Sequence, residues 1–224
     1  MKIPERPIIL CGIKHCGKST QAKLLAAAIG AAIYDTDDII LQRTGMDART
    51  LYKSQGKDAF MQAELEACQY LRDILNGEQS QAQNARAAST AHNFSQAKDA
   101  GGDKNPLQAQ KAAAVIATGG GICQNAPAMD ILKTLGSVVY LEIDEKSAAD
   151  RIIREARFLP DGTIQNLPAY IADKNPADES QARAIFHDFY VERTKKYRSL
   201  ADVTVQMQGS RQENCDKILS ALCG

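Results

Sequence analysis

The chain has 224 residues, with Lys+Arg 27 against Asp+Glu 27, formal net charge +0, hydrophobic residues at 44% and charged residues at 24%. That length gives one compact domain, or one domain with an insertion, and neutrality excludes a general polyanion binder, so no nucleic-acid partner is expected. No apolar run approaches the ~20 residues that span a bilayer, and Pro4, Glu5, Arg6 and Pro7 make the N-terminus too polar for a secretory signal, so the expectation is a cytoplasmic protein with no membrane association.

Residues 8–11 form a short apolar run that predicts a buried strand. Helical spacing over 19–29 follows, stopped by Gly30. A second strand is predicted at 31–34, then a helix from about Asp38 to Gly45, a helical turn at 48–54 and a longer helix at 57–76. Residues 115–117 are a strand that runs into Thr118 and three glycines. Helix 127–135, strand 137–141, helices 145–157 and 177–196, strand 203–205 and helix 211–222 complete the chain. Strands alternating with helices predict an α/β domain with a mainly parallel sheet. Residues 77–113 break the rhythm, because Phe94 and Leu107 are the only large apolar residues there. Such a segment buries too little to offset its ordering entropy, so it reads as an exposed, low-complexity insertion, partly disordered. The six cysteines, at 11, 16, 68, 123, 215 and 223, show no Cys-x-x-Cys pair and are expected to be reduced thiols.

Residues 12–19, Gly-Ile-Lys-His-Cys-Gly-Lys-Ser, match G-x-x-x-x-G-K-[ST] between a strand and a helix. Gly12 and Gly17 let the backbone curl so that amide N–H groups point at phosphate oxygens, and the following helix adds its positive end. Lys18 is expected to reach the β- and γ-phosphates, and the Ser19 hydroxyl to ligate Mg²⁺. Asp35 and Asp37 lie two apart at the tip of the second strand, where ligands of open α/β sheets sit. One could hold the metal shell and the other accept a hydroxyl proton. The competing reading is a helix N-cap with extra acids, which Asp38 fits well. Gly119, Gly120 and Gly121 leave backbone open to a ligand, and Arg193 lies late on a helix, where most arginines are solvated.

Together these pieces resemble the shikimate kinase family. They comprise the phosphate loop through Thr20, Asp35-Thr36-Asp37 with Gln42-Arg43-Thr44-Gly45 after it, 56–64, the triple glycine, Tyr140-Leu141-Glu142, and Arg193 with Tyr197-Arg198. The resemblance implies a three-layer P-loop kinase fold with a central, mainly parallel five-stranded sheet and a mobile lid at about 154–171. It implies ATP-dependent phosphorylation of shikimate at its 3-hydroxyl, with Mg²⁺; a monomer is expected. Carried over, Lys18 contacts the transferred phosphate, and Ser19 with Asp35 supports Mg²⁺. Gly12, Cys16, Gly17 and Thr20 belong to the nucleotide loop, and Arg151 sits where the family places an arginine on adenine. Asp37 binds acceptor hydroxyls and is the candidate base. Gly119, Gly120 and Gly121 line the acceptor pocket, Arg193 grips its carboxylate, and Arg157 is the choice for the lid arginine.

Two departures stand out. Met61 occupies a position where the family has a second carboxylate-binding arginine, and a thioether cannot replace that fork. The loss costs on the order of 1.5–3 kcal/mol unless something substitutes. Lys14, in the phosphate loop beside the same pocket, is the candidate substitute; its bland alternative is a solvated lysine. His15 and Cys16 replace small residues usual in this loop, and Cys16 near a helix start could make the loop thiol-sensitive. Alternatives for the whole chain are a kinase of another polyol acid such as gluconate, or a nucleotide-binding protein without transfer activity.

Overall fold

The computed structural model describes residues 6–93, 114–159 and 162–223. In chain order the elements are β1 (Ile8–Cys11), α1 (Lys18–Ile29), β2 (Ala32–Asp35), α2 (Thr36–Thr44), α3 (Ala48–Asn93), β3 (Ala114–Ala117), α4 (Ala126–Leu135), β4 (Ser137–Glu142), α5 (Glu145–Glu155), β5 (Arg157–Phe158), β6 (Ile164–Gln165), α6 (Ala169–Ala172), α7 (Glu179–Leu200), β7 (Val203–Gln206) and α8 (Arg211–Cys223). A 3₁₀ turn, Ile122–Gln124, precedes α4.

Five strands form one parallel sheet in the order β2-β3-β1-β4-β7. The centre is β1, with Ile9 opposite Ile116 of β3 and Val138 of β4. Every residue of β1 is fully buried, as helices on both faces require of a central parallel strand. Parallel neighbours need crossovers, and the helices between strands supply them. The strand order reverses between β3 and β4, and the ends there point at one cleft.

The predicted helical turn and the helix after it meet at Gly56, whose φ of +87° interrupts the element labelled α3. The predicted end at Asn76 does not hold: the helical backbone runs on to Asn93. Ala, Gln and Glu dominate that stretch, and their intrinsic propensity favours helix without an apolar stripe. The first part of the expected insertion is therefore a helical continuation, and 94–113 lie outside the described residues. The expected lid segment holds an antiparallel hairpin of β5 with β6, followed by the single turn α6.

Packing sets the site. Tyr197 of α7 stacks on Tyr140 of β4, ring centroids 5.1 Å apart, and Tyr140 donates to Thr194 Oγ1 at 3.3 Å. Those contacts fix the register of α7 and turn Arg193, the residue before Thr194, toward the cleft. Thr118 donates through both its N–H and its hydroxyl to Leu10 O, at 3.2 and 3.1 Å, so the triple glycine starts beside the end of β1. All six cysteines are free thiols.

Candidate active site

The carboxyl ends of the central strands open into a cleft of about 1180 Å³. One wall is the loop from Gly12 to Ser19. Gly12 has φ +148°, and a Cβ there would lie 2.7 Å from Leu141 O and 2.8 Å from Cys16 Sγ, so no side chain fits. Gly17 caps α1 without a side-chain bond, which leaves the first helical N–H groups to an anion. Lys18 Nζ donates to Gly12 O at 2.9 Å and Ile13 O at 3.0 Å, lying along the loop. His15 holds φ +66°, a conformation that costs a residue with a Cβ about 1–2 kcal/mol. Its Nε2 lies 3.3 Å from Glu155 Oε2, and burial lowers its pKa against the pull of that carboxylate. Cys16 is buried, 2% exposed, which does not fit an alkylation-prone thiol.

Asp35 makes two contacts, one of which is the expected helix cap. Its Oδ1 accepts from Asp37 N at 3.0 Å, capping α2, and its Oδ2 accepts from Ser19 Oγ at 3.1 Å. The hydroxyl and carboxylate together are a hard-oxygen pair that suits Mg²⁺, which takes few protein ligands and completes its shell with phosphates and water. Among the described residues no cluster of three or more His, Cys, Asp or Glu exists that could hold a metal alone.

Asp37 faces the opposite wall. It is open to the cleft, yet the enclosing protein raises its pKa, with Asp35 adding to the rise and Lys18 and Lys14 opposing it. Across from it stands the triple glycine, fixed by Gly119 N donating to Thr36 Oγ1 at 3.0 Å. A Cβ on Gly119 would come within 3.0 Å of Asp37 Oδ1 and 3.2 Å of Glu64 Oε1, and one on Gly120 within 2.8 Å of Lys14 N. Arg193 is 8% exposed, so the solvated reading does not apply. Its Nη1 donates to Gly120 O at 3.3 Å, and its guanidinium lies 4.2 Å from the Tyr170 ring centre and 5.3 Å from that of Phe189. Stacking on two rings holds the fork in one orientation.

Lys14 lines the cleft next to Gly120, its pKa lowered first by burial and then by Arg49. Arg151 lines it as well and donates to His15 O at 2.6 Å. Cys16, Gly17, Ser19 and Thr20 line the same cleft, as do Met207, Gly209 and Asn214. Arg157 is not brought into this cleft. It sits on β5 in a side recess with Asn166, while Arg154, one helical turn earlier on α5, lines the main cleft. The helix ends at Glu155, and the hairpin then carries Arg157 away.

Glu64 went unrecognised in the sequence. It is 2% exposed, its Oε2 accepts from Asn125 Nδ2 at 3.2 Å, and burial pushes its pKa up to about 7, with Asp37 adding to the rise while Asn125 and Arg193 oppose it. The signal was available: Glu64 stands four residues after Phe60 and four before Cys68, a carboxylate on the apolar stripe of a helix. Tyr170 and Arg49 had no comparable local signal. Phe189, one turn before Arg193 on α7, did.

A sequence model of the family "Shikimate kinase" matches residues 14–77 and 105–223. Shikimate kinase from Francisella tularensis subsp. novicida is 25% identical over 212 residues, covering 95% of this chain and 91% of that one. In fold, the chain is similar to the shikimate kinase of Acinetobacter baumannii solved in complex with shikimate (TM-score 0.65, 23% identity, 97% of this chain and 93% of that one) and to that of Aquifex aeolicus (TM-score 0.61, 21% identity, 97% and 96%). With the family match running over both walls of the cleft and most of the sequence, the chain belongs to the shikimate kinase family.

Proposed function

We infer that this chain transfers the γ-phosphoryl group of ATP to the 3-hydroxyl of shikimate. The observation that carries this is the placement of Asp37 and Arg193 on either side of Gly119–Gly121, across one cleft from the Gly12–Ser19 loop. An acceptor with a hydroxyl at Asp37 and a carboxylate at Arg193 would present that hydroxyl to the phosphate wall. A neighbour of the same fold was solved with shikimate bound, which supports the choice of acceptor.

Asp37 orients the hydroxyl and takes its proton; its raised pKa brings it nearer the working range of a base. Lys18 turns from the loop carbonyls to the transferred phosphate, and the N–H groups at the start of α1 hold the phosphates that stay behind. Ser19 and Asp35 would hold Mg²⁺, which supplies charge neutralisation between the phosphates when bound. Arg151 borders the nucleotide and Lys14 the acceptor. Arg154, which lines the cleft, replaces Arg157 as the candidate lid arginine. Among the described residues no helix is long and apolar enough to cross a membrane, and a cytoplasmic monomer is proposed.

Met61 in the cleft favours a second reading, a kinase of another polyol acid. A coupled ADP-release assay with shikimate, with gluconate and with no acceptor separates them. Turnover with shikimate alone is expected; turnover with gluconate alone, or none with either, overturns the proposal.

A further inference from the structure

Beside the main cleft lies a smaller recess of about 420 Å³, lined by Arg49, Arg154, Glu155, Arg157 and Asn166. Arg49 comes from the first turn of α3, Arg154 and Glu155 from the end of α5, Arg157 from β5, and Asn166 follows β6. No aliphatic or aromatic residue is among them. Arg49, Arg154 and Glu155 also line the main cleft, whereas Arg157 and Asn166 do not.

Three guanidiniums from three parts of the chain share this space with one carboxylate, and that carboxylate is engaged: Glu155 Oε2 lies 3.3 Å from His15 Nε2. Among the described residues neither Arg154 nor Arg157 has a carboxylate within ion-pairing distance. Arg49 Nη2 donates to a backbone oxygen, Asn166 O, at 3.2 Å. Like charges gathered in this way repel, and solvent screening reduces that cost without turning it into a gain. An anion with several oxygens does so, because each guanidinium offers a planar fork of donors. A carboxylate presents two oxygens in one plane. A phosphate dianion presents its oxygens in tetrahedral directions and can meet forks arriving from α3, α5 and β5 together. A lining without apolar surface suits such a head and gives a nucleoside base nothing to pack on.

We propose that the recess is an anion site separate from the nucleotide and acceptor subsites, taking a phosphate dianion either free or as the head of a small monoester. Arg157 belongs to this site and not to the main cleft, while Arg49 and Arg154 stand on the partition between the two. A dianion there offsets the charge of three arginines and joins α3, α5 and the β5–β6 hairpin through one ligand. Its consequence is mechanical: the occupied recess holds the hairpin against the helix that carries Arg49.

Inorganic phosphate is the probe, titrated calorimetrically into the full chain at low salt. The Gly12–Ser19 loop also offers phosphate a place, so two sites are expected in the unaltered chain, and Arg157→Gln should remove one of them. Lys18→Ala isolates the recess: it should still bind phosphate, and adding Arg157→Gln should weaken that binding about tenfold or more, the loss of one charge-assisted contact. Methyl phosphate binding as tightly as inorganic phosphate identifies an ester head as the ligand; binding of inorganic phosphate alone identifies the free ion; both support the site. Citrate binding more tightly than either overturns the phosphate assignment. A second readout is limited proteolysis. In Lys18→Ala, phosphate at about twice its Kd should slow tryptic cleavage between Arg157 and Phe158 about threefold, because the bound chain is withdrawn from the protease by mass action. Phosphate binding that disappears with Lys18→Ala, that Arg157→Gln leaves unchanged, or that does not slow cleavage after Arg157 overturns the proposal. None of these measurements needs ATP or an acceptor, so their outcome is independent of which alcohol is phosphorylated.

Discussion

The two walls of the cleft are built differently. The proposed phosphate wall is one unbroken stretch, Gly12 to Thr20, offering backbone N–H groups and a single lysine. The proposed acceptor wall gathers Asp37, Met61, Glu64, Gly119–Gly121 and Arg193 from four distant parts of the chain, and apart from the glycine backbone it offers side chains. A backbone cradle tolerates changes of side chain, as His15 and Cys16 show by occupying the loop. A wall of convergent side chains changes its chemistry with each substitution, and Met61 is such a change. Specificity can therefore shift on one side while the other keeps its grip on phosphate.

If the walls are separable, Asp37→Asn should lower turnover roughly 10²–10⁴-fold, the usual range for a positioned base. ATP with magnesium should still protect the variant against heat; loss of that protection would show that the walls act as one. Arg193→Ala should come next, raising the acceptor KM roughly tenfold to a hundredfold, the equivalent of about 1.5–3 kcal/mol for a charge-assisted bond. The ATP KM should not move, and a matching rise in both constants would break the comparison. Lys14→Ala sharpens it, since Lys14 belongs to the phosphate loop yet borders Gly120. An acceptor KM raised about twofold to fivefold is expected from a partly exposed charge; no change beyond twofold leaves Lys14 without a part in acceptor binding. The smallest effect is on stability. His15→Gly removes the cost of φ +66° and returns part of it as unfolded-chain freedom, for a net gain of about 0.5–1 kcal/mol. At pH 8 the imidazole, its pKa lowered by burial, is neutral and gains least from Glu155. The melting temperature should then rise by about 1–3 °C, and a fall would mean that the histidine contributes more than its backbone costs.

The same contrast explains what could be read from the sequence. The loop, the acids after β2 and the triple glycine were legible because each is a short run at a strand end. The break at Gly56 was legible because one residue type marks it. Arg193 could be placed on a helix, but its burial under Tyr170 depends on a turn more than twenty residues away. Arg157 was misplaced relative to the cleft because a two-residue strand, invisible to any periodicity, redirects the chain after Glu155. The helical run to Asn93 carries no apolar stripe, so a burial pattern does not reveal it and only the intrinsic propensity of its Ala, Gln and Glu does.

Asn125 is not itself among the residues that line the cleft, yet one amide closes the start of α4, holds the carbonyl of Met61 and orients Glu64. An aspartate would keep the first duty and forfeit the other two, setting carboxylate against carboxylate. Selection for a new acceptor would therefore be expected to recover changes at position 125 together with 61 and 64, so that a helix cap shares in deciding which alcohol is phosphorylated.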